Sequence, residues 1–93
     1  MLTLTENATT IIRYLADATD DSATAGLRIL TIDAPENKFT IEIAPAPEPG
    51  DKVVSADGAR VFLDRLAAPR LSHKELDALV EQDNVKFSLR NQS

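Results

Sequence analysis

The apolar positions of the chain change their spacing several times, and each change marks an element. Ala8, Ile11, Ile12 and Leu15 fall at i, i+3, i+4 and i+7, a single stripe along a helix. Thr5 is placed to cap that helix, and Glu6 lies in its first turn, where a carboxylate suits the positive end of the dipole. Arg13, Asp17 and Asp20 lie largely off the stripe, and Asp20-Asp21-Ser22 ends the periodicity. From Leu27 the period becomes two. Leu27-Arg28-Ile29-Leu30-Thr31-Ile32 is rich in β-formers with apolar side chains on both faces, as in a central strand. Ala34-Pro35-Glu36-Asn37 is a turn signal. Beyond it Phe39, Ile41 and Ile43 alternate with Lys38, Thr40 and Glu42, which predicts an antiparallel hairpin with one buried face.

The segment from Ala44 to Asp51 has prolines at 45, 47 and 49, which bar it from a central strand and make it a connector. Prolines two apart form no P-x-x-P ligand. Lys52–Ala56 and Ala59–Leu63 flank Asp57-Gly58, a strong signal for a second hairpin. Asp64 to Ala68 predicts a short helical turn halted by Pro69. Ser72-His73-Lys74-Glu75 then has the spacing of a capping box, with Leu76, Leu79 and Val80 as the stripe of a C-terminal helix ended by Asp83-Asn84. Val85, Phe87 and Leu89 alternate with Lys86, Ser88 and Arg90 as a last strand, and residues 90–93 are expected to fray. Helix, hairpin, hairpin, short helix, strand is an α+β order with mostly antiparallel pairing, in one domain spanning 1–93.

Composition narrows the chemistry. With 43% apolar and 27% charged residues among 93, the chain is globular with a thin core. It contains no cysteine, which removes disulfides, thiolate nucleophiles, cysteine zinc sites and clusters held by cysteine sulfur. A single histidine excludes a multi-histidine metal site within one chain. The net charge is −5 and the ten basic residues are scattered singly, which argues against nucleic acid and against an anionic membrane. No apolar run is long enough to span a bilayer, and no basic stretch followed by an apolar one opens the chain, so a cytoplasmic protein is expected.

The remaining side chains offer little catalysis. His73 is read as a surface histidine inside the second helix cap, its neighbours Ser72 and Glu75 already engaged by that cap. Asp17, Asp20 and Asp21 lack the spacing of a calcium loop and read as a solvated cluster. Asp33 and Glu36 bracket the first hairpin turn. Gly26, Gly50 and Gly58 match no phosphate-binding motif and are assigned to turns. Tyr14, Phe39, Phe62 and Phe87 are assigned to the core, leaving no stacking platform. No enzyme is expected.

Five stretches nevertheless form an ordered set: Leu4-Thr5-Glu6-Asn7-Ala8 with Ile11-Ile12, Gly26-Leu27-Arg28-Ile29, Pro49-Gly50-Asp51-Lys52-Val53-Val54, Asp57-Gly58-Ala59-Arg60-Val61-Phe62-Leu63-Asp64, and Leu76-Asp77 with Val85-Lys86-Phe87. In this order they resemble the HesB/IscA family, the A-type iron–sulfur carriers. The resemblance implies a HesB-like fold. It does not supply the activity, because family members bind iron or a cluster through a cysteine in a G-G-C-x-G loop and two in a C-terminal C-G-C. Counting from Gly26 puts the first of these near Glu36, and the chain ends at Ser93 where the family continues into C-G-C. What the resemblance implies is therefore a cysteine-less accessory protein with no cofactor of its own. Its role is protein binding, linked to iron–sulfur assembly, through the outer face of the first hairpin or an edge strand, with a homodimer expected. The alternative is a carrier of iron on carboxylates, for which Asp33 and Glu36 are the candidates, or on ligands shared with a partner. A small hydrolase built on His73 lacks a nucleophile.

Overall fold

The computed structural model describes residues 1–33 and 38–92, with the backbone alone at 31–33 and 38. Among the described residues nine elements follow one another: β1 (Thr3–Leu4), α1 (Glu6–Asp17), β2 (Gly26–Asp33), β3 (Lys38–Ala44), β4 (Lys52–Ala56), β5 (Ala59–Leu63), α2 (Ala67–Arg70), β6 (Lys74–Glu81) and β7 (Asn84–Asn91). The strands form two sheets of order β3-β2-β5-β4 and β1-β6-β7. Both expected hairpins are present, β2 antiparallel to β3 and β4 antiparallel to β5, and they join through a parallel β2–β5 pairing. The fold is α+β with mixed sheets. Strand β2 is internal to its sheet, as the apolar residues on both its faces require.

Helix α1 starts as its sequence dictates. The Thr5 hydroxyl accepts from the Ala8 N–H at 3.1 Å and donates to the Asp77 carboxylate at 2.6 Å, so one side chain caps the helix and ties it to β6. Ala8, Thr9, Ile12 and Ala16 are buried, while Ile11 and Leu15 are only half-buried. The buried stripe is thus rotated slightly from the one drawn through Ile11 and Leu15. The core lies between α1 and the two sheets, with Ile12, Leu27, Ile29, Val61, Leu63 and Leu76 at its centre.

The largest departure from expectation is the segment after Ser72. It is a strand, not a helix. Leu76 and Ala78 alternate inward and are buried, and β6 lies between β1, parallel to it, and β7, antiparallel to it. The capping box never forms: the Ser72 hydroxyl donates to the Pro69 carbonyl at 3.0 Å, and Glu75 accepts from Arg90 across the hairpin at 2.7 Å. A local cap contributes about 1 kcal/mol, less than a strand gains by completing a three-stranded sheet beneath α1. The short helix is α2 instead. Pro69 sits inside it, in the first turn where its missing N–H has no intrahelical partner to lose. Gln82 and Asp83, at φ +48° and +70°, make the two-residue turn between β6 and β7.

The end of the chain is also more ordered than expected. Arg90 and Asn91 belong to β7, and the Gln92 amide donates to the carbonyls of Met1 at 2.7 Å and Lys74 at 3.0 Å. His73 is exposed in the turn before β6, not in a helix cap.

Candidate functional site

Most of the motif residues prove to be ones that hold the sheets together. Arg28 interrupts the apolar run of β2 and points to the face opposite the main core. Its guanidinium donates twice to Asp51, at 2.9 and 3.0 Å, in a bidentate pair whose side chains are 12% and 3% exposed. Glu48 adds a second carboxylate at 3.0 Å but is 66% exposed. The Asp51 carboxylate also accepts from the Glu48 N–H at 2.9 Å. These bonds hold the proline connector against β2. The hydrogen bonds from Arg28 keep the Asp51 carboxyl below its ordinary value, against the opposing effect of burial, and Asp51 in turn raises Arg28.

Gly26 does not make a turn. It opens β2, and a Cβ there would lie 2.6 Å from the Arg60 carbonyl oxygen and 2.8 Å from the Phe62 ring. Its missing side chain lets the ring of Phe62, fully buried on the face away from the main core, lie over the strand. Gly50 and Gly58 do serve turns, at φ +90° and +85°, the latter beside Asp57 at +50°. Asp64 accepts from the N–H groups of Leu66 at 3.1 Å and Ala67 at 2.7 Å, which starts α2. Asp77 is held below its ordinary value chiefly by the Thr5 hydroxyl and then by the Ala78 N–H.

Asp33 ends β2 and Glu36 lies outside the described residues, so the proposed carboxylate pair has no described geometry. Asp17 ends α1, and Asp20 and Asp21 are exposed in the turns after it. Among the described residues, no three of His, Cys, Asp and Glu are grouped to hold a metal ion. No described helix is long and apolar enough to cross a membrane.

One assignment is overturned with consequence. Tyr14 is not core: it is 73% exposed on α1. Phe62 is fully buried and Phe39 and Phe87 are half-buried, as expected of core aromatics. Tyr14 stands at the mouth of a groove of about 440 Å³ between α1 and the tip of the β6–β7 hairpin, together with Ile11, Leu15, Val80 and Val85. The signal that could have found this groove was Tyr14 itself, three residues past the apolar stripe position at Ile11 and off its axis.

No protein-family model matches the chain. An uncharacterized protein of Bradyrhizobium diazoefficiens is 28% identical over 93 residues, covering 98% of this chain and 87% of that protein. Among solved structures, the crystal structure of Escherichia coli SufA, a protein involved in biosynthesis of iron–sulfur clusters, superposes with a TM-score of 0.80 at 27% identity. It covers 97% of this chain and 84% of SufA. The chain is similar to the HesB/IscA-type proteins in fold, and its sequence holds no cysteine. A protein from Aquifex aeolicus, solved by NMR, matches this HesB/IscA-like chain with a TM-score of 0.76 at 25% identity, covering 98% and 91% of the two chains. IscA crystallised with its 2Fe–2S cluster shares the fold at a TM-score of 0.68 and 18% identity, covering 98% and 85%. The donors of the HesB/IscA-like chain do not fit such a cluster. Cluster iron is held by thiolate sulfur, and the 93 residues contain none.

Proposed function

We propose that this protein is a non-enzymatic, protein-binding accessory of iron–sulfur cluster assembly, one that does not carry the cluster on its own side chains. The observation that carries the reading is a dissociation within the motifs. The residues that build the fold are present and working: Gly26 under Phe62, the Arg28–Asp51 pair, the Asp57-Gly58 turn and the Asp64 cap. The thiolates that would ligate a cluster are absent from the sequence. A scaffold kept without its donors retains its surface, and a surface recognises partners. Among the structural neighbours, SufA is involved in biosynthesis of iron–sulfur clusters and IscA holds a 2Fe–2S cluster, and His73, the one residue considered for hydrolysis, is an exposed turn residue.

Two measurements test the proposal. Anaerobic incubation with ferrous iron and sulfide is expected to leave the purified chain colourless after desalting. Added to a reaction in which a cysteine-bearing carrier delivers its cluster to an apo-ferredoxin, the chain is expected to change the transfer rate saturably without taking up the cluster. A brown, desalting-stable product would replace this reading with the carrier alternative. Transfer that is unaffected at any ratio would remove the link to cluster assembly.

A further inference from the structure

We infer that the groove between α1 and the β6–β7 hairpin tip docks a short basic, amphipathic segment of a partner protein. This deepens the protein-binding role proposed above and rests on it. Helix α1 packs against β6, but the hairpin tip is left uncovered at Val80. The cross-strand pair Val80–Val85 sits on the same face of β6 and β7 as the buried Leu76 and Ala78, yet Val80 is 56% exposed. Opposite it, Ile11 and Leu15 are half-buried and Tyr14 is 73% exposed. Apolar groups on both walls of a groove of about 440 Å³ make one continuous apolar surface, the kind that marks an interaction site when its rim is polar. Side chains from helix and hairpin tip both line it, so its walls are set by packed elements.

The rim chooses the occupant. Asp83 stands at the hairpin tip, and Asp17 follows Tyr14 by three residues on the same side of α1. The last turn of α1 has no basic residue, so the negative end of its dipole is left uncompensated, with Asp20 and Asp21 just beyond. Of the nearby cations, Lys86 lies 3.9 Å from the Glu81 carboxylate, and Arg13 is drawn to the Asp57 carbonyl, to which it donates at 3.0 Å. An apolar floor with an anionic rim fits a segment whose apolar side chains recur at i and i+3 or i+4 and whose flanks carry Lys or Arg. A second copy is the wrong partner on the same grounds. The chain carries a net charge of −5, and a two-fold contact through this groove would set each acidic rim against its own image.

The test uses the full chain and a defined probe. An isotope-labelled sample is titrated with a Leu/Lys amphipathic peptide of about 14 residues, roughly four helical turns, and with its Leu/Glu counterpart as control. The Lys peptide is expected to shift the amide signals of Ile11, Tyr14, Leu15, Val80 and Val85, and the Glu peptide is not. The double variant Tyr14→Ser, Val80→Ser is expected to bind about tenfold more weakly. Both positions are more than half exposed, so the variant keeps the fold, and an unchanged far-ultraviolet circular dichroism spectrum verifies this. Shifts spread over the acidic surface and indifferent to the double variant would overturn the inference. So would equal binding of both peptides, or self-association that the double variant abolishes, which would give the groove to a second copy. None of these outcomes touches cluster transfer, so failure at the groove leaves the assembly reading to be decided by its own assay.

Discussion

Replacing Asp51 with alanine removes one half of the ion pair that fastens the proline connector to β2, and its cost can be worked from the geometry. Arg28 is 12% exposed and its pair with Asp51 is bidentate, so loss of Asp51 strands a charge in a poorly hydrated place. Removing one partner of a fully buried pair costs about 3–5 kcal/mol. Two features lower that figure here. Glu48 stays within 3.0 Å of the guanidinium, and the side chain of Arg28 opens onto a cleft beside Pro45 and Pro47 through which water can reach it. Glu48 itself is 66% exposed, so its pairing is screened and contributes at most about 1 kcal/mol. Asp51→Ala should therefore destabilise by about 2–3 kcal/mol, and Glu48→Ala by well under half of that. For a domain of this size each kcal/mol moves the melting midpoint by about 4–8 °C, so the Asp51 variant should melt at least about 8 °C lower. The assay is urea unfolding followed by circular dichroism at neutral pH, for wild type and both variants. The pH dependence provides a second signature. The native Asp51 carboxyl is depressed by Arg28, so the unfolded chain binds more protons at this group as acid is added. Its contribution is then fully present above the unfolded value of about 3.9 and is lost as pH falls from there through the lower native value. The gap between wild type and Asp51→Asn should be constant near neutrality and shrink only below about pH 4. An Asp51→Ala variant no less stable than Glu48→Ala would refute the assignment of the clasp to Asp51.

Three further predictions follow from the same geometry. Gly26→Ala should cost about 2–3 kcal/mol, because the new Cβ meets a backbone oxygen at 2.6 Å that cannot step aside, whereas Gly50→Ala meets nothing within 4 Å and suffers only the strain of φ +90°, about 1 kcal/mol; equal unfolding midpoints for the two would count against the close approach. Thr5→Val should destabilise by about 1–2 kcal/mol through loss of the helix cap, and a carbon-detected carboxyl titration should show Asp77 moving up toward its ordinary value; an unmoved Asp77 would mean that the Ala78 N–H alone holds it. Phe62→Ala should cost about 3–5 kcal/mol, while Tyr14→Ala should change stability by less than about 0.5 kcal/mol; comparable losses at the two would return Tyr14 to the core.

How far the structure was legible depended on whether a residue answers to its neighbours in sequence or to distant ones. Thr5, the Asp57-Gly58 turn and the alternation of Phe39, Ile41 and Ile43 are local signals, and all of them hold. The segment from Lys74 to Glu81 shows the opposite case. Leu76, Leu79 and Val80 fit a helix, while Leu76, Ala78 and Val80 fit a strand equally well. The choice is made by β1 and β7, which lie 70 residues upstream and directly downstream. Glycine was no guide to the last hairpin, since its turn places Gln82 and Asp83 in the left-handed region without one. Locally Gly26 reads as a turn glycine, and Arg28 as one of ten basic residues scattered singly. Their roles rest on Arg60, Phe62 and Asp51, residues 23 or more positions away. The groove was least legible, because Tyr14 alone does not say that a valine pair will stand opposite it.

The same distinction explains how a scaffold of this kind can hold together without cysteine ligands. Domains that close around a metal draw folding free energy from the ligand bonds, and removing those ligands unfolds them. Among the described residues of this chain no such group of ligands is present. Its sheets are joined by the β2–β5 pairing, by a ring lying over a glycine and by an ion pair at the connector, while α1 is fastened by a hydroxyl that bonds both its own first turn and β6. Each of these is satisfied by main chain, carboxylate or apolar surface. Substitutions at ligand positions would therefore leave them intact, so selection on the fold and selection on the chemistry act on different residues. What such a change does alter is the surface. The chain has a net charge of −5 and an apolar groove with Asp83 in its lining, and under the proposed role it is at that groove, more than at the first hairpin, that a partner's contacts should be read.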